Sequence, residues 1–455
     1  MSERTTSTTR RELRALWTLA LPLAAIQLGN QLKSLVDTAV VGRLGDVELA
    51  SVGLGNSFFF LVQIFGVGVM MGFDPMISQA LGADKRERAD GLLWQSVWLA
   101  IGLGALLALP AAALAYAYAP AGIEAAVADK AWTYTMIRVV GLIPTLIFFA
   151  LRGYLQAHER TRPLVASMVL SNLVNVALTV LLVFGGAWLP EWAGPLRAVP
   201  ALGVAGAAWA TVVSAVVQAA VLAPSLPMAA LAPPNQTDLQ EALRLGGPVG
   251  LQYAAEVGVF ALVGFFAGRM GSVSLAAHQV ALTLASMTFT VTLGISSAGS
   301  VRVGLAVGAQ DAARMRAAGL TALMSGTAFM SLGALLFLSL PEPLTRILTD
   351  EADIIAVAAP LLGVAAVFQL SDGLQAVGAG VLRGAGDTRF AFVANLLGHY
   401  LVGLPVALAL GFGLGLGVRG LWWGLCVGLT AVAAALLIRF LHLSSRPVQP
   451  LQPNG

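Results

Sequence analysis

The sequence predicts an all-α polytopic membrane protein of about twelve transmembrane helices, set in two six-helix bundles related by a pseudo-two-fold axis along the membrane normal. Three observations carry this. First, 58% of the residues are hydrophobic and 11% are charged, against about 25% charged in an average soluble domain. A chain of 455 residues cannot hide so much apolar surface from water, so lipid is its solvent. Second, apolar runs of about 20 residues, the length that crosses a bilayer, recur along the chain. Third, the two halves are copies of one another. A shift of 226 residues carries Pro22 onto Pro248, Gly42-Arg43 onto Gly268-Arg269 and Gly45 onto Gly271. The same shift carries Leu49-Ala50 onto Leu275-Ala276, Gly82-Ala83 onto Gly308-Ala309 and Arg88 onto Arg314.

The apolar runs of the first half fall at about 15–38, 49–73, 92–116, 132–154, 163–186 and 201–224. Those of the second half fall at about 243–268, 275–300, 317–339, 354–380, 390–413 and 420–441. They are continuous rather than alternating, which selects helices over a barrel. The first run follows Arg4, Arg10, Arg11 and Arg14 and continues through Lys33 and Asp37. No small-residue cleavage site closes it early, so it reads as a first span and not as a removed signal peptide. Further along, Gly153 and Thr161-Arg162 match Gly380 and Thr388-Arg389 at a shift of 227. Gly203-Val204, Gly206 and Trp209 match Gly417-Val418, Gly420 and Trp423 at a shift of 214.

Six spans per half is an even number, so both halves enter the membrane from the same side and the repeat is parallel, not inverted. The polar, proline-rich segment from Pro224 to Leu243 is the joint. The expected lobes are residues 1–230, with spans 1–6, and 231–455, with spans 7–12. Repeats of this kind place the substrate site at their mutual interface.

Loop charges orient the chain. With the N-terminus inside, eighteen of the 26 lysines and arginines fall in inner segments and seven in outer ones, and Lys33 lies within a span. The positive-inside rule then places both termini in the cytoplasm of a bacterial-type inner membrane. Trp94, Trp188, Trp192, Trp422 and Trp423 fall near span ends, as an interfacial belt would. The formal net charge of +3 argues for no nucleic-acid partner. Cys426 is the one cysteine, so no intrachain disulfide forms.

Several functions are excluded by missing motifs. None of the three lysines, Lys33, Lys85 and Lys130, follows a glycine, so there is no phosphate-binding loop and no built-in ATP motor. His158-Glu159 does not continue into a zinc motif, and Gly294-Ile-Ser296-Ser-Ala298 fails the nucleophile-elbow pattern at its last position. The expectation is a protein that is no enzyme, needs no cofactor and draws on an ion gradient for any uphill transport.

Few ionisable residues sit deep in the spans: Lys33 and Asp37 in span 1, Glu256 in span 7 and Asp372 in span 10, with His278 and His399 as weaker candidates. A charge at bilayer depth costs about 2.5–3.5 kcal/mol on insertion scales, so each is expected to face a cavity or a partner. Glu256 and Asp372 share one lobe and have no basic residue near them in their spans. Such a pair can exchange protons, a metal cation or an organic cation. The bland alternative makes each acid a structural hydrogen-bonding group. Lys33 lies four residues before Asp37 on the same helix face, and an internal ion pair would explain both. The GxxxG spacings Gly68/Gly72, Gly264/Gly268, Gly304/Gly308 and Gly380/Gly384 are expected to mark close helix packing inside the bundle.

Several motifs resemble those of the multidrug and toxic compound extrusion (MATE) transporters over essentially the whole chain. Leu35-Val-Asp37-Thr-Ala-Val-Val-Gly42 resembles their first-span signature. Ala276-Ala-His278-Gln279-Val-Ala with Arg302-Val-Gly304 resembles span 8, and Gln369-Leu-Ser-Asp372-Gly with Gly380-Val-Leu-Arg383-Gly384 resembles the end of span 10. Gly203-Val-Ala-Gly206-Ala-Ala-Trp-Ala-Thr211 resembles the start of span 6. The placement of Glu256 and Asp372 looks like the NorM branch.

The resemblance implies a secondary active antiporter that exports organic, often cationic drugs in exchange for Na⁺ or H⁺ by alternating access. Glu256 and Asp372 would form the C-lobe cation site, with Na⁺ as one candidate occupant. Asp37, Asn175 and Thr179 would form an N-lobe ion, proton or substrate site, with Lys33, Tyr253, His278, Gln279 and Phe368 in support. Small-molecule drugs and the lipid bilayer are the expected partners, and the chain is expected to act as a monomer. Three positions depart from the family pattern. Phe368 stands where a tyrosine would add an oxygen to a Na⁺ shell, Thr179 stands where an asparagine is expected, and Lys33 puts an ammonium beside Asp37. A lipid-linked saccharide flippase of the same superfamily is the alternative. It would want several arginines in a groove, whereas here the arginines crowd loop ends.

Overall fold

A computed structural model describes residues 2–227 and 231–451, with side chains from Arg11 on. The expected lobe boundary at 230 and the side chains of Arg4 and Arg10 lie outside the described residues. Helices follow in order as α1 (Ser2–Val41), α2 (Asp46–Met70), α3 (Phe73–Gly82), α4 (Arg86–Tyr116), α5 (Ala125–Val140), α6 (Leu142–Ala157), α7 (Arg162–Phe184) and α8 (Val204–Ala220). The second half runs through α9 (Gln236–Arg269), α10 (Ser272–Gly308), α11 (Ala312–Ser339), the short α12 (Pro341–Arg346), α13 (Ala352–Gly384), α14 (Thr388–Leu396), α15 (Leu404–Leu408) and α16 (Gly417–Leu443). π-helical turns at Leu397–Gly403 and Ala409–Gly413 flank α15. No strand occurs among the described residues, as a hydrocarbon solvent requires of a chain that satisfies its own backbone.

Among the described residues, ten helices are long and apolar enough to cross a membrane. The pair α5 and α6, bent by 42° at Gly141, makes an eleventh. The remaining expected span is α1, a single helix of 40 residues. It falls short on apolarity because Gln27, Asn30, Gln31 and Lys33 interrupt its greasy run.

The duplication is written into the backbone. Residues in the left-handed region recur at equivalent positions of the two halves. Gly45 (φ 140°) pairs with Gly271 (φ 113°), and Asp84 (φ 58°) pairs with Gln310 (φ 55°). Glu159 (φ 57°) pairs with Gly386 (φ 84°), and Gly203 (φ 56°) with Gly417 (φ 60°). L-residues rarely adopt this conformation, so the shared turns reflect shared structure rather than shared composition.

Contacts divide the chain into two compact units. The first comprises Met1–Gln27, Asp74–Ala89 and Arg244–Gly455, and the second Leu28–Phe73 and Asp90–Leu243. Within the first unit, α3 and α10 cross at a self-complementary contact. A Cβ on Gly82 would run into the carbonyl of Leu305, and one on Gly308 into the carbonyl of Gln79. The 226-residue shift carries Gln79 onto Leu305 and Gly82 onto Gly308. A Cβ on Gly304 would meet the hydroxyl of Ser78, its own repeat partner. Contacts that map onto themselves in this way are the signature of a two-fold operator, so the pseudo-axis passes between Ser78 and Gly304. Gly380 and Gly384 of α13 likewise lie hard against Ser296 and Ser300 of α10. The GxxxG spacings at 304/308 and 380/384 therefore serve close packing. Gly264 and Gly268 are looser, with their nearest neighbours at 3.5 and 3.7 Å.

Superposed on this symmetric crossing are two buried ion pairs that are not symmetric. Arg302 of α10 grips Glu12 of α1 from two nitrogens, with contacts of 2.9, 2.8 and 2.6 Å. Arg314 adds a contact of 3.2 Å to the same carboxylate. Asp74 of α3 faces Arg383 of α13 at 3.6 Å. At the repeat-equivalent positions, Arg302 is replaced by Met76 and Arg383 by Gln156. Arg302 and Arg383 were expected at loop ends. Instead they lie inside helices and are buried, because an acid from the first repeat meets each of them.

The core of the first unit gathers Val259, Val263, Phe368, Trp422 and Leu425. Trp422 is thus no belt residue but fully buried, whereas Trp188, Trp192 and Trp423 are exposed as an interfacial belt requires. In the second unit, Val41, Val52, Tyr134, Val183 and Ala208 form the core. Gln95 of α4 anchors the joint, donating to the Pro233 carbonyl at 2.8 Å and accepting from the Asn235 amide at 2.7 Å. Asn235 in turn caps α9, its side-chain oxygen accepting from the Thr237 amide at 2.9 Å.

Candidate ion and substrate sites

The first unit holds the two acids of the expected cation site. Asp372 on α13 is buried and has no hydrogen-bond partner among the described residues. Glu256 on α9 is partly buried and close enough to act on Asp372 electrostatically. Gln375 lies three residues after Asp372 on the same helix face. Its amide donates to Glu256 at 3.4 Å, while its own oxygen stays unpartnered. Asn395 at the end of α14 stands beside the same carboxylate, fully buried, and its amide makes no hydrogen bond. One turn later His399 is buried with both ring nitrogens unpartnered. It lies in the π-helical turn, a distortion often found at functional sites. That turn also brings Tyr400 to donate to the Ala255 carbonyl, next to Glu256, at 2.8 Å. No basic side chain forms an ion pair with Glu256 or Asp372 among the described residues.

The supporting residues separate into two groups. Phe368, one turn before Asp372, supplies no oxygen. Its ring packs on Trp422 at 5.3 Å and on Phe260 at 6.0 Å. His278 accepts from the Trp422 indole at 3.2 Å, so it holds the tryptophan that holds Phe368, and it stands in the core. Tyr253 is partly buried on α9, one turn before Glu256. Gln279, next to His278, is exposed on α10.

In the second unit Asp37 is buried on α1 and accepts from Thr179 of α7 at 2.8 Å and Thr211 of α8 at 3.0 Å. An internal pair with Lys33 does not form. The Lys33 ammonium instead donates to the hydroxyls of Ser214 at 3.1 Å and Ser171 at 3.5 Å. The reason is geometric: α7 presents Ser171 two turns before Thr179, and α8 presents Ser214 one turn after Thr211, so acid and base are drawn to different rungs. Asn175 lies between Ser171 and Thr179 on the same face of α7, fully buried, with both amide atoms unpartnered. Asn172 ties α7 to α1 by donating to the Gly29 carbonyl at 2.8 Å.

Sequence reasoning passed over Gln375, Asn395, Ser171 and Ser214. Asn395 and His399 are the polar pair, four residues apart, in an otherwise apolar span 11, and that spacing was a usable signal. Ser171, Asn175 and Thr179 likewise repeat every four residues.

The MatE family model matches this chain over residues 22–181 and 248–409, one block in each repeat. The chain belongs to the MatE family. Curated relatives agree over nearly the full length. It is 37% identical over 450 residues to the probable multidrug resistance protein NorM of Deinococcus radiodurans, covering 96% of this chain and 97% of that one. It is 36% identical over 444 residues to the multidrug resistance protein NorM of Burkholderia vietnamiensis, covering 94% and 93%. The fold matches the crystal structure of the eukaryotic MATE transporter AtDTX14 with a TM-score of 0.84 at 22% identity, over 95% of this chain and 96% of that one. It matches an outward-facing multidrug resistance MATE family transporter of the MOP superfamily equally well, with a TM-score of 0.84 at 20% identity over 95% and 96%. This MatE-family chain is accordingly a multi-pass membrane protein. The family blocks begin at Pro22 and Pro248, the repeat-equivalent prolines within α1 and α9.

Proposed function

We propose that this MatE-family protein is a secondary active multidrug efflux antiporter, exporting organic, often cationic compounds in exchange for Na⁺ or H⁺ by alternating access. The observation that carries the reading is the pair Glu256 and Asp372, two acids on neighbouring helices with no basic partner. Two carboxylates held together away from water need a cation or a proton between them. An ion that binds them better in one state than in the other shifts the balance of states by that difference in affinity, and drug release follows from the same difference. Phe368 takes one oxygen away from a Na⁺ shell. The unpartnered oxygens of Gln375 and Asn395, beside Glu256, stand ready to replace it.

In this reading the lobes are 1–230 and 231–455, both termini are cytoplasmic in a bacterial-type inner membrane, and the monomer works without a cofactor. Asp37, Asn175 and Thr179 form the N-lobe site. The chain performs no chemistry on its cargo. The relatives' names support efflux of drugs, and the absence of a phosphate-binding loop from the sequence supports a gradient as the energy source. The test is transport of a fluorescent organic cation in proteoliposomes, with a Na⁺ gradient and a pH gradient imposed separately. Efflux driven by at least one of the two supports the reading. Efflux indifferent to both, or no movement of any organic cation, contradicts it.

A further inference from the structure

The polar cluster of the second unit differs in sign from that of the first. It contains two cations and one acid: Lys33, Arg138 and Asp37. Arg138 of α5 lies near enough to act electrostatically on both of the others. Its guanidinium donates to the Tyr134 hydroxyl at 2.9 Å and sits 4.6 Å over the Phe59 ring. Neither Lys33 nor Arg138 meets a carboxylate at ion-pair distance among the described residues. The one acid is already held by Thr179 and Thr211. Lys33 and Arg138 are both half-buried, so an excess of positive side chains stands beside buried helix faces, where an unneutralised charge is costly.

A second observation points the same way. Asn175 is fully buried between the Lys33 rung and the Asp37 rung of α7, and its amide nitrogen has no acceptor. Buried polar groups are almost always paired, so a buried amide without a partner calls for one. A lysine ammonium has three donors, and serine hydroxyls take only two of them here. The cluster is also peculiar to one half of the repeat. The shift of 226 carries Lys33 onto Val259 and Asp37 onto Val263, both fully buried apolar residues.

We propose that Lys33 and Asn175 form an anion-accepting subsite that takes the carboxylate group of a transported compound. The remaining Lys33 donor and the Asn175 amide reach the two carboxylate oxygens, and Arg138 contributes field without direct contact. Substrates then include organic acids and zwitterions, and Lys33 is a specificity-determining residue. The inference rests on the efflux reading for its biological meaning, but its ligand chemistry is testable by binding alone.

The experiment uses the purified full chain and two matched fluorescent probes, an aromatic carboxylic acid bearing a protonated amine and its methyl ester. Equilibrium binding is measured in detergent, and transport of both probes is followed in proteoliposomes. The wild type is expected to bind the acid more tightly than the ester, and Lys33→Met to lower that acid-to-ester affinity ratio by about tenfold or more, the usual worth of a hydrogen bond to a charged group. Lys33→Arg keeps most of the preference and controls for folding. A wild-type preference for the ester, or a ratio unchanged in Lys33→Met, overturns the subsite. Tight binding of the acid without transport of either probe leaves the subsite standing and sinks the efflux reading instead.

Discussion

Replacing Asp372 with asparagine is expected to leave a folded protein whose ion-driven efflux drops to the passive background. The substitution keeps shape and volume, and Asp372 gives up no hydrogen bond among the described residues, so the helix packing has little reason to change. What is lost is the negative charge. Binding of a cation or proton at the pair loses roughly 1.5–3 kcal/mol, on the scale of interactions with charged groups, which is about tenfold to a hundredfold in affinity. An ion can drive a conformational equilibrium only by its difference in affinity between states. A site that no longer binds the ion supplies no drive, whatever the drug affinity. Asp372→Glu should retain part of the coupling. Wild-type rates for Asp372→Asn in proteoliposomes under a defined gradient would remove Asp372 from the mechanism.

The largest effect on stability is expected at the buried ion pair between Glu12 and Arg302. The carboxylate is 5% exposed and the guanidinium 8%. Arg302→Met leaves that carboxylate facing only Arg314, which is 35% exposed. Removing one partner of a buried pair costs about 3–5 kcal/mol, because the other is left charged and dry. Replacing both with apolar residues of similar size is often neutral. The single variant should therefore melt well below the wild type in detergent, and Glu12→Leu/Arg302→Met should recover most of the loss. A single variant within about 1 kcal/mol of wild type would mean that water reaches the pair. Functionally the pair matters because it ties the first turns of the first repeat to α10 of the second, at positions where the repeat is broken by Met76.

Much of the architecture was legible because hydrophobic length and self-similarity are both local in sequence. The GxxxG spacing points to close packing at Gly304 and Gly308, and the repeat shift matches Gly308 with Gly82, its counterpart in the crossing. Span 1 is legible as a helix despite its polar middle, because its apolar run continues through Lys33 and Asp37 without a cleavage site. Glu256 and Asp372 stand out in the sequence because isolated acids in apolar runs are conspicuous. What sequence spacing could not give was choice of partner. Lys33 and Asp37 sit four residues apart and looked paired. They are drawn apart by hydroxyls on α7 and α8 that only the tertiary fold brings near. The same blindness put Arg302 and Arg383 at loop ends, since their acids lie in a distant part of the chain. Trp422 looked interfacial by position, and only the fold shows His278 and Phe368 closing around it. The π-helical turn at Leu397–Gly403 changes the register that carries His399 and Tyr400, and helical periodicity assumes no such change.

In the proposed antiporter, Glu256 and Asp372 bind the coupling ion and an organic cation competes for the same two carboxylates. The most direct measurement is equilibrium binding of a fluorescent organic cation to the purified protein, titrated with Na⁺ at fixed pH and with acid at fixed Na⁺. Competition at Glu256 and Asp372 predicts that the apparent Kd rises steadily with one of the two ions, and that Asp372→Asn abolishes this dependence. An apparent Kd that ignores both sodium and protons across the full titration would contradict the shared site.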